Sequence, residues 1–407
     1  MLTSAGHLTY CTNIHAGENW PDHFEALKKY FPGIKKNISP GKPMGLGLRL
    51  SNEASHELIQ DDKLTLFKDW LTANDAYVFT MNGFPYGGFH HVRVKEQVHT
   101  PDWTTGDRVA YTIRLFEILD KLLPEGMDGG VSTSPMSYRH WFKSPDQLKE
   151  ATQKATANIL LVAAELFHMH KISGKCLHLD IEPEPDGLME TGAEFIDWYE
   201  NELLPAGQTL FSRQLGISTS EVTALLKAHI RLCYDVCHFA IGYEPHRQVI
   251  RQLKEKGIRI GKIQISAALS AILGHAAQRT AIKEAFARYN EPVYLHQVVA
   301  RKADDGLLRY PDLSEALADY DHPEVKEWRA HFHVPVFVPH FGVLQSTQQH
   351  IKEILEIQKT DPFTQHLEIE TYTWEVLPYF LKLPIDESII RELQWVLDIL
   401  QKGNSKS

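Results

Sequence analysis

The sequence predicts an α/β fold: one closed (β/α)8 TIM barrel with long insertions in its βα loops. Three observations carry that expectation. Short apolar runs alternate with longer amphipathic stretches along the chain, the pattern of parallel strands joined by right-handed crossovers. Eight such runs are present, and none reads as the edge of an open sheet. The 407 residues exceed a typical domain of about 150, yet a barrel with insertions absorbs them. A single domain spanning 1–407 is therefore expected.

In chain order, strands are expected at 8–13, 45–51, 76–82, 129–134, 176–182, 230–235, 262–266 and 366–370. The amphipathic stretches are 22–29, 107–122, 144–168, 245–256, 270–289 and 346–359, with a closing helix at 386–401. Two stretches break the alternation. The Gly- and aromatic-rich GFPYGGFHHVRV occupies an insertion at about 84–107. A second, at about 292–339, holds VYLHQVVAR, a charged loop, a short helix and a strand-like HFHVPVFV. Long loops after barrel strands belong to the catalytic face. The tail 402–407 reads as frayed.

Composition narrows the function. Hydrophobic residues make up 43% and charged residues 23%, which excludes a disordered chain. Acidic residues outnumber basic ones, 52 to 42, giving a formal charge of −10; a protein relying on phosphate-backbone contacts needs the opposite balance, so no nucleic acid partner is expected. No apolar stretch approaches the ~20 residues of a membrane span, and residues 1–10 lack a signal peptide's apolar core. Four scattered cysteines without a CxxC pair argue against disulfides or a Cys-rich zinc site. A cytoplasmic, soluble protein is expected. Histidine is the outlier, at 22.

Strand parity then selects the lumen. A barrel strand turns one face to the helices and the other inward, with a period of two. In LHLDIE, Leu177, Leu179 and Ile181 face the helices, so His178, Asp180 and Glu182 point inward. In HLEIE, Glu368 and Glu370 point inward; in KIQIS, Gln264 and Ser266 do. Applied throughout, parity places Asn13, Arg49, Asn82, Ser132, Glu182, Asp235, Gln264 and Glu370 near the C-terminal mouth. All are polar where an inert barrel would carry branched aliphatics. Buried carboxylates without partners are very costly, so Glu182, Asp235 and Glu370 call for a cation, most economically a metal ion.

Tyr234-Asp-Val-Cys-His238 supplies Asp235 at a strand end and His238 where the chain turns. Asp and His together suit Zn, Mn, Fe or Co better than Mg; the plain alternative is a helix N-cap with an incidental histidine. His331 and His333 form an HxH pair that either presents two imidazoles to the ion or lines an ordinary strand face. Gln264 is a poor ligand and suits substrate binding. Arg49 either neutralises the carboxylates or binds an anionic group of the substrate. His15, His90 and His91 follow early strands, where they either meet substrate or are satisfied elsewhere. His178 and Asp180 read as a structural pair, and Cys237 as a small core residue. Phe84, Tyr86 and Phe89 suggest a lid, and Tyr372 and Trp374 an apolar pocket wall.

The order Glu, Asp, DxxH and a final Glu resembles the xylose isomerase-like TIM-barrel superfamily, which includes sugar isomerases and epimerases and endonuclease IV. That resemblance implies metal ligands at Glu182, Asp235, the Gln264 position and Glu370; the family usually has His where Gln264 stands. YDVCH is similar to the DTCH of endonuclease IV, and His331 and His333 to its later HxH segment. Over nearly the whole chain, LTYCTNIHAGENW, GLGLRLS, MNGFPYG, STSPMSYR and LDIEPEPDG resemble the EboE family of metabolite traffic proteins, implying an operon-associated role with possible operon partners. Three functions follow as expectations. The first is a metal-dependent isomerase or epimerase of a sugar, cyclitol or related polyol, with Glu182 and Glu370 as general base and acid. The second is a non-catalytic metabolite-binding barrel, and the third, below both, a metal-dependent phosphodiester hydrolase.

Overall fold

The structure is a computed structural model that describes residues 1–88, 94–372, 374 and 383–401. Phe89, His90, His91 and the tail 402–407, singled out above, lie outside the described residues.

The first part of the chain gives β1 (Leu2–Thr3), β2 (Gly6–Tyr10), β3 (Met44–Arg49), β4 (Ala76–Asn82), β5 (Gly129–Thr133), β6 (Leu177–Ile181), β7 (Ile230–Asp235) and β8 (Ile260–Ile265). After an excursion the chain returns in β15 (His366–Ile369). These nine strands are ordered β1-β2-β15-β8-β7-β6-β5-β4-β3. All pairings except the β1–β2 hairpin are parallel. The ring closes between β2 and β3 through the parallel bridge Cys11↔Gly47. There, threonine hydroxyls replace ladder bonds. Thr9 Oγ1 donates to Gly45 O at 2.9 Å and accepts from Gly47 N at 3.0 Å, and Thr12 Oγ1 accepts from Arg49 N at 2.8 Å. The fold is a (β/α)8 barrel.

Each barrel strand is buried along nearly its whole length, as expected where helices cover the outside and side chains fill the lumen. The crossover helices carry their own stop and start signals. Pro145–Ser173 begins with Ser144, whose side chain accepts from Gln147 N, and ends at Gly174, whose φ of 72° is the left-handed conformation of a C-cap. Gly192–Trp198 starts in a Thr191/Glu194 capping box.

Between β8 and β15 lies a second, six-stranded sheet. Its strands are β9 (Leu269–Ile272), β10 (Val298–Lys302), β11 (Leu307–Tyr310), β12 (Val325–Ala330), β13 (His340–Phe341) and β14 (Leu344–Ser346), ordered β11-β10-β12-β9-β14-β13 and antiparallel throughout. It extends beyond the 292–339 stretch read from the sequence. The helix expected from residue 270 starts only at Ala276 and runs to Ala287, because Leu269–Ile272 pairs with β12 and β14 instead. The HFHVPVFV run is not a strand. β12 stops at Ala330, and Pro335, which lacks an N–H, denies the segment a ladder. Here the chain folds back over the mouth, with Val334 N bonded to Ala267 O at 3.0 Å.

Candidate metal centre at the barrel mouth

The strand ends deliver the carboxylates. Glu182 follows β6, Asp235 closes β7 and Glu370 follows β15. One oxygen from each can be chosen so that all three lie within 4.8 Å of one another. Asp235 and His238 sit where β7 turns into the helix Val236–Ile241. Asp235 caps that helix by accepting from His238 N at 3.1 Å, and takes the Ser266 hydroxyl at 2.7 Å. Both contacts fall on Oδ1, and Oδ2 makes no hydrogen bond among the described residues. The fold-back after β12 brings His331 and His333 to the same place, although that segment is not a strand. Asp235, His238 and His333 form one group of potential ligands, and Glu184, His238 and His331 another.

Hydrogen-bond partners fix the tautomers. His238 Nδ1 lies 3.0 Å from Pro183 O, a carbonyl that can only accept. Gln297 Nε2 donates to Pro185 O at 3.0 Å, so its oxygen is the group 2.8 Å from His331 Nδ1. Both histidines therefore carry their proton on Nδ1. Their Nε2 lone pairs then face each other at 3.1 Å, and burial pushes His331 well below the ordinary histidine range. Second bonds of this kind through Nδ1 are what orient metal-ligating imidazoles.

The carboxylates are differentiated. Burial, reinforced by Glu370 and Asp235, pushes Glu182 well above its ordinary value. Burial also acts to raise Glu370, but the His333 hydrogen bond and charge, with Gln264 and Lys262, outweigh it and leave Glu370 below the ordinary value. Asn13 and Asn82 each donate to Glu370 Oε1 at 2.7 Å. For His333, burial opposes a charge, but Asp235 and Cys237 hold its imidazolium up. Cys237 is pushed up to about 11 by burial, consistent with a core thiol.

Glu182, Glu370, His238, His331 and His333 line a cavity of about 60 Å³, walled further by Phe84, Val98, Tyr294 and Tyr372. Asn13 and Asn82 line it. Gln264 lies just beneath, fully buried, with the Cys233 thiol 3.9 Å from its oxygen. Four residues expected at the substrate stand elsewhere. Arg49 is drawn to Glu18, 2.9 Å away, and to Gly87 O, so neither role expected of it is met. His15 meets the Tyr10 hydroxyl at 3.1 Å and stacks on Tyr30. Ser132 is buried in the wall, its hydroxyl 3.5 Å from Met81 O. Trp374 packs near Phe337 rather than in the cavity. Tyr86 packs on Tyr111 instead of lining the cavity.

Sequence reasoning missed Glu184, His99, Gln297 and Lys262. Glu184 shares Glu182's parity in EPEP and lies 2.9 Å from His99, which the insertion carries on the short helix Lys95–His99. Lys262 shares Gln264's parity and is fully buried in an ion pair with Glu368. No local pattern marks His99 or Gln297.

Neither a protein-family profile nor a curated relative matches the chain. Solved structures similar to it include the IolI protein with a bound zinc atom, 11% identical over 97% of this chain and 98% of that one, at a TM-score of 0.46. A xylose isomerase domain protein from Planctomyces limnophilus is 10% identical over 90% of each chain, at 0.41. The 3-keto-D-glucoside 4-epimerase YcjR from E. coli is 13% identical over 78% of this chain and 97% of its own, at 0.35. The fold assignment rests on the strand order itself.

Proposed function

We propose that the chain is a metal-dependent isomerase or epimerase of a small polyhydroxylated metabolite. The observation that carries this reading is the convergence of Glu182, Asp235 and Glu370, three buried carboxylates with one oxygen from each within 4.8 Å of the others. Glu182 and Glu370 are the proton-transferring pair, as general base and acid. The donor set of three carboxylates and three imidazoles fits a Zn-, Mn-, Fe- or Co-class ion better than Mg. Glu182, Asp235, Glu370, His238, His331 and His333 would hold it. When bound, the ion supplies charge stabilisation for a carbonyl oxygen and its neighbouring hydroxyl. Asn13 and Asn82 fix the Glu370 carboxylate, and Phe84 and Tyr372 exclude water from the cavity floor. With Arg49 tied to Glu18 and Lys95 to Asp312 at 2.6 Å, the lining suits an uncharged sugar, cyclitol or related polyol.

The competing reading is a metabolite-binding barrel without catalysis, which the stretches resembling EboE proteins favour. Solvent-deuterium incorporation over a panel of ketoses, aldoses and cyclitols separates the two. The metal-loaded wild type should exchange a carbon-bound proton, and Glu182→Gln should slow exchange by about 10²–10⁴-fold beyond any loss of metal read by elemental analysis. Failure of the wild type to exchange with any of them leaves the carrier reading.

A further inference from the structure

The opposite end of the lumen holds another group of potential ligands, two of them on strands whose far ends serve the mouth. Asp128 directly precedes β5, His178 is the second residue of β6 and His366 the first of β15. One ligand atom from each lies within 4.8 Å of the others. His366 Nε2 is 3.2 Å from Asp128 Oδ1, and His178 Nε2 is 3.6 Å from Asp128 Oδ2. Ligand atoms around a tetrahedral ion with bonds of about 2.05 Å stand about 3.3 Å apart, close to the His366 Nε2–Asp128 Oδ1 separation.

His178 is oriented for the task. Its Nδ1 lies 2.6 Å from Asp180 Oδ1, which leaves Nε2 on the side of Asp128. That nitrogen is fully buried and makes no hydrogen bond among the described residues. A carboxylate behind a ligating imidazole is the usual second partner in metal sites. Space has been cleared for the pair. A Cβ on Gly130 would fall 2.4 Å from His178 Cε1, and one on Gly261 would fall 1.8 Å from Asp180 Oδ1. Arg231 Nη1 takes Asp128 Oδ2 at 2.9 Å, leaving Oδ1 to face His366. The Asp128 side chain is 30% exposed, which gives an ion its entry path.

We propose that Asp128, His178 and His366 form a second divalent metal site, of the zinc class, that secures the closed end of the barrel. Asp180 acts as a positioning residue for His178. The full-length chain is stripped with a chelator, reloaded with Zn(II) or Co(II) alone, desalted and analysed for metal, in the wild type and in Asp235→Ala. His366→Gln should remove roughly one ion per chain from either background and change the visible Co(II) spectrum. Chelator should lower the melting temperature of Asp235→Ala but not of Asp235→Ala/His366→Gln. Asp128→Asn, at the rim, provides the same comparison should His366→Gln fail to fold. Equal metal content with and without these substitutions overturns the site and leaves a proton-linked network of Asp and His. The mouth is read separately by deuterium exchange, so either centre can fail without the other.

Discussion

At the mouth of the barrel, Glu182, Glu184 and Glu370 line a cavity, with Asp235 beside them, and Lys95 at its wall is already engaged with Asp312. At the closed end, Asp128 and Asp180 are set among His178, His366 and Arg231. Between them the buried Lys262–Glu368 pair crosses the lumen as a neutral layer. The mouth thus keeps an excess of negative charge facing space where a ligand can enter, whereas the far end matches most of its charge internally. The difference follows the division of labour in such barrels: chemistry at the C-terminal face and stability at the N-terminal one.

Substitutions at the two ends should therefore fail in different currencies. The largest effect is expected from Asp235→Ala, which removes a proposed ligand and the cap of the helix Val236–Ile241. Metal binding at the mouth should weaken by more than about 100-fold, since outer partners alone are worth about 10–100-fold; competition against a chelator measures it. Unchanged affinity would remove Asp235 from the ligand set. Next, Lys262→Met strands Glu368 in the lumen and should destabilise the fold by about 3–5 kcal/mol, read by chemical denaturation. A wild-type midpoint would mean that Glu368 accommodates neutrally. Gly261→Ala pushes a methyl group into Asp180 and should cost about 1–3 kcal/mol, with metal binding at the mouth unaltered. If that binding fell as well, the two ends would not be independent.

The smallest effect concerns pH. Burial pushes Glu244 up to about 8, against the opposing hydrogen bond from Gly192 N–H. Its folded value lies above the unfolded one, so the folded state keeps a proton that the unfolded chain gives up. This contribution is complete below about pH 4.5 and is lost as pH rises through about 8. Glu244→Gln should flatten that decline in denaturation midpoints taken between pH 5 and 8; an unchanged slope would assign it to other groups.

Much of this architecture was legible because a barrel strand has two unlike neighbours. Leu177, Leu179 and Ile181 against helices left Glu182 inside, and the same parity in HLEIE placed Glu368 and Glu370. Lys262 was legible by the same rule, two positions before Gln264. What escaped was determined by tertiary partners. Leu269–Ile272 carries a helical pattern yet becomes a strand because β12 and β14 flank it. His331 and His333 reach the mouth by a fold-back that no local periodicity describes. His99 arrives on an insertion, and Gln297 acts through His331, so neither has a spacing to betray it. Arg49 has inward parity, but Glu18 in the preceding loop captures its guanidinium.

The seam between β2 and β3 has a consequence for how such a chain tolerates change. The circular hydrogen-bonded wall is completed by the hydroxyls of Thr9 and Thr12. Valine at either position preserves shape and hydropathy, yet takes away the oxygen that joins the first stave to the second. Relatives diverging at these two sites would retain every apparent strand while losing the clasp that makes a cylinder out of a curled sheet.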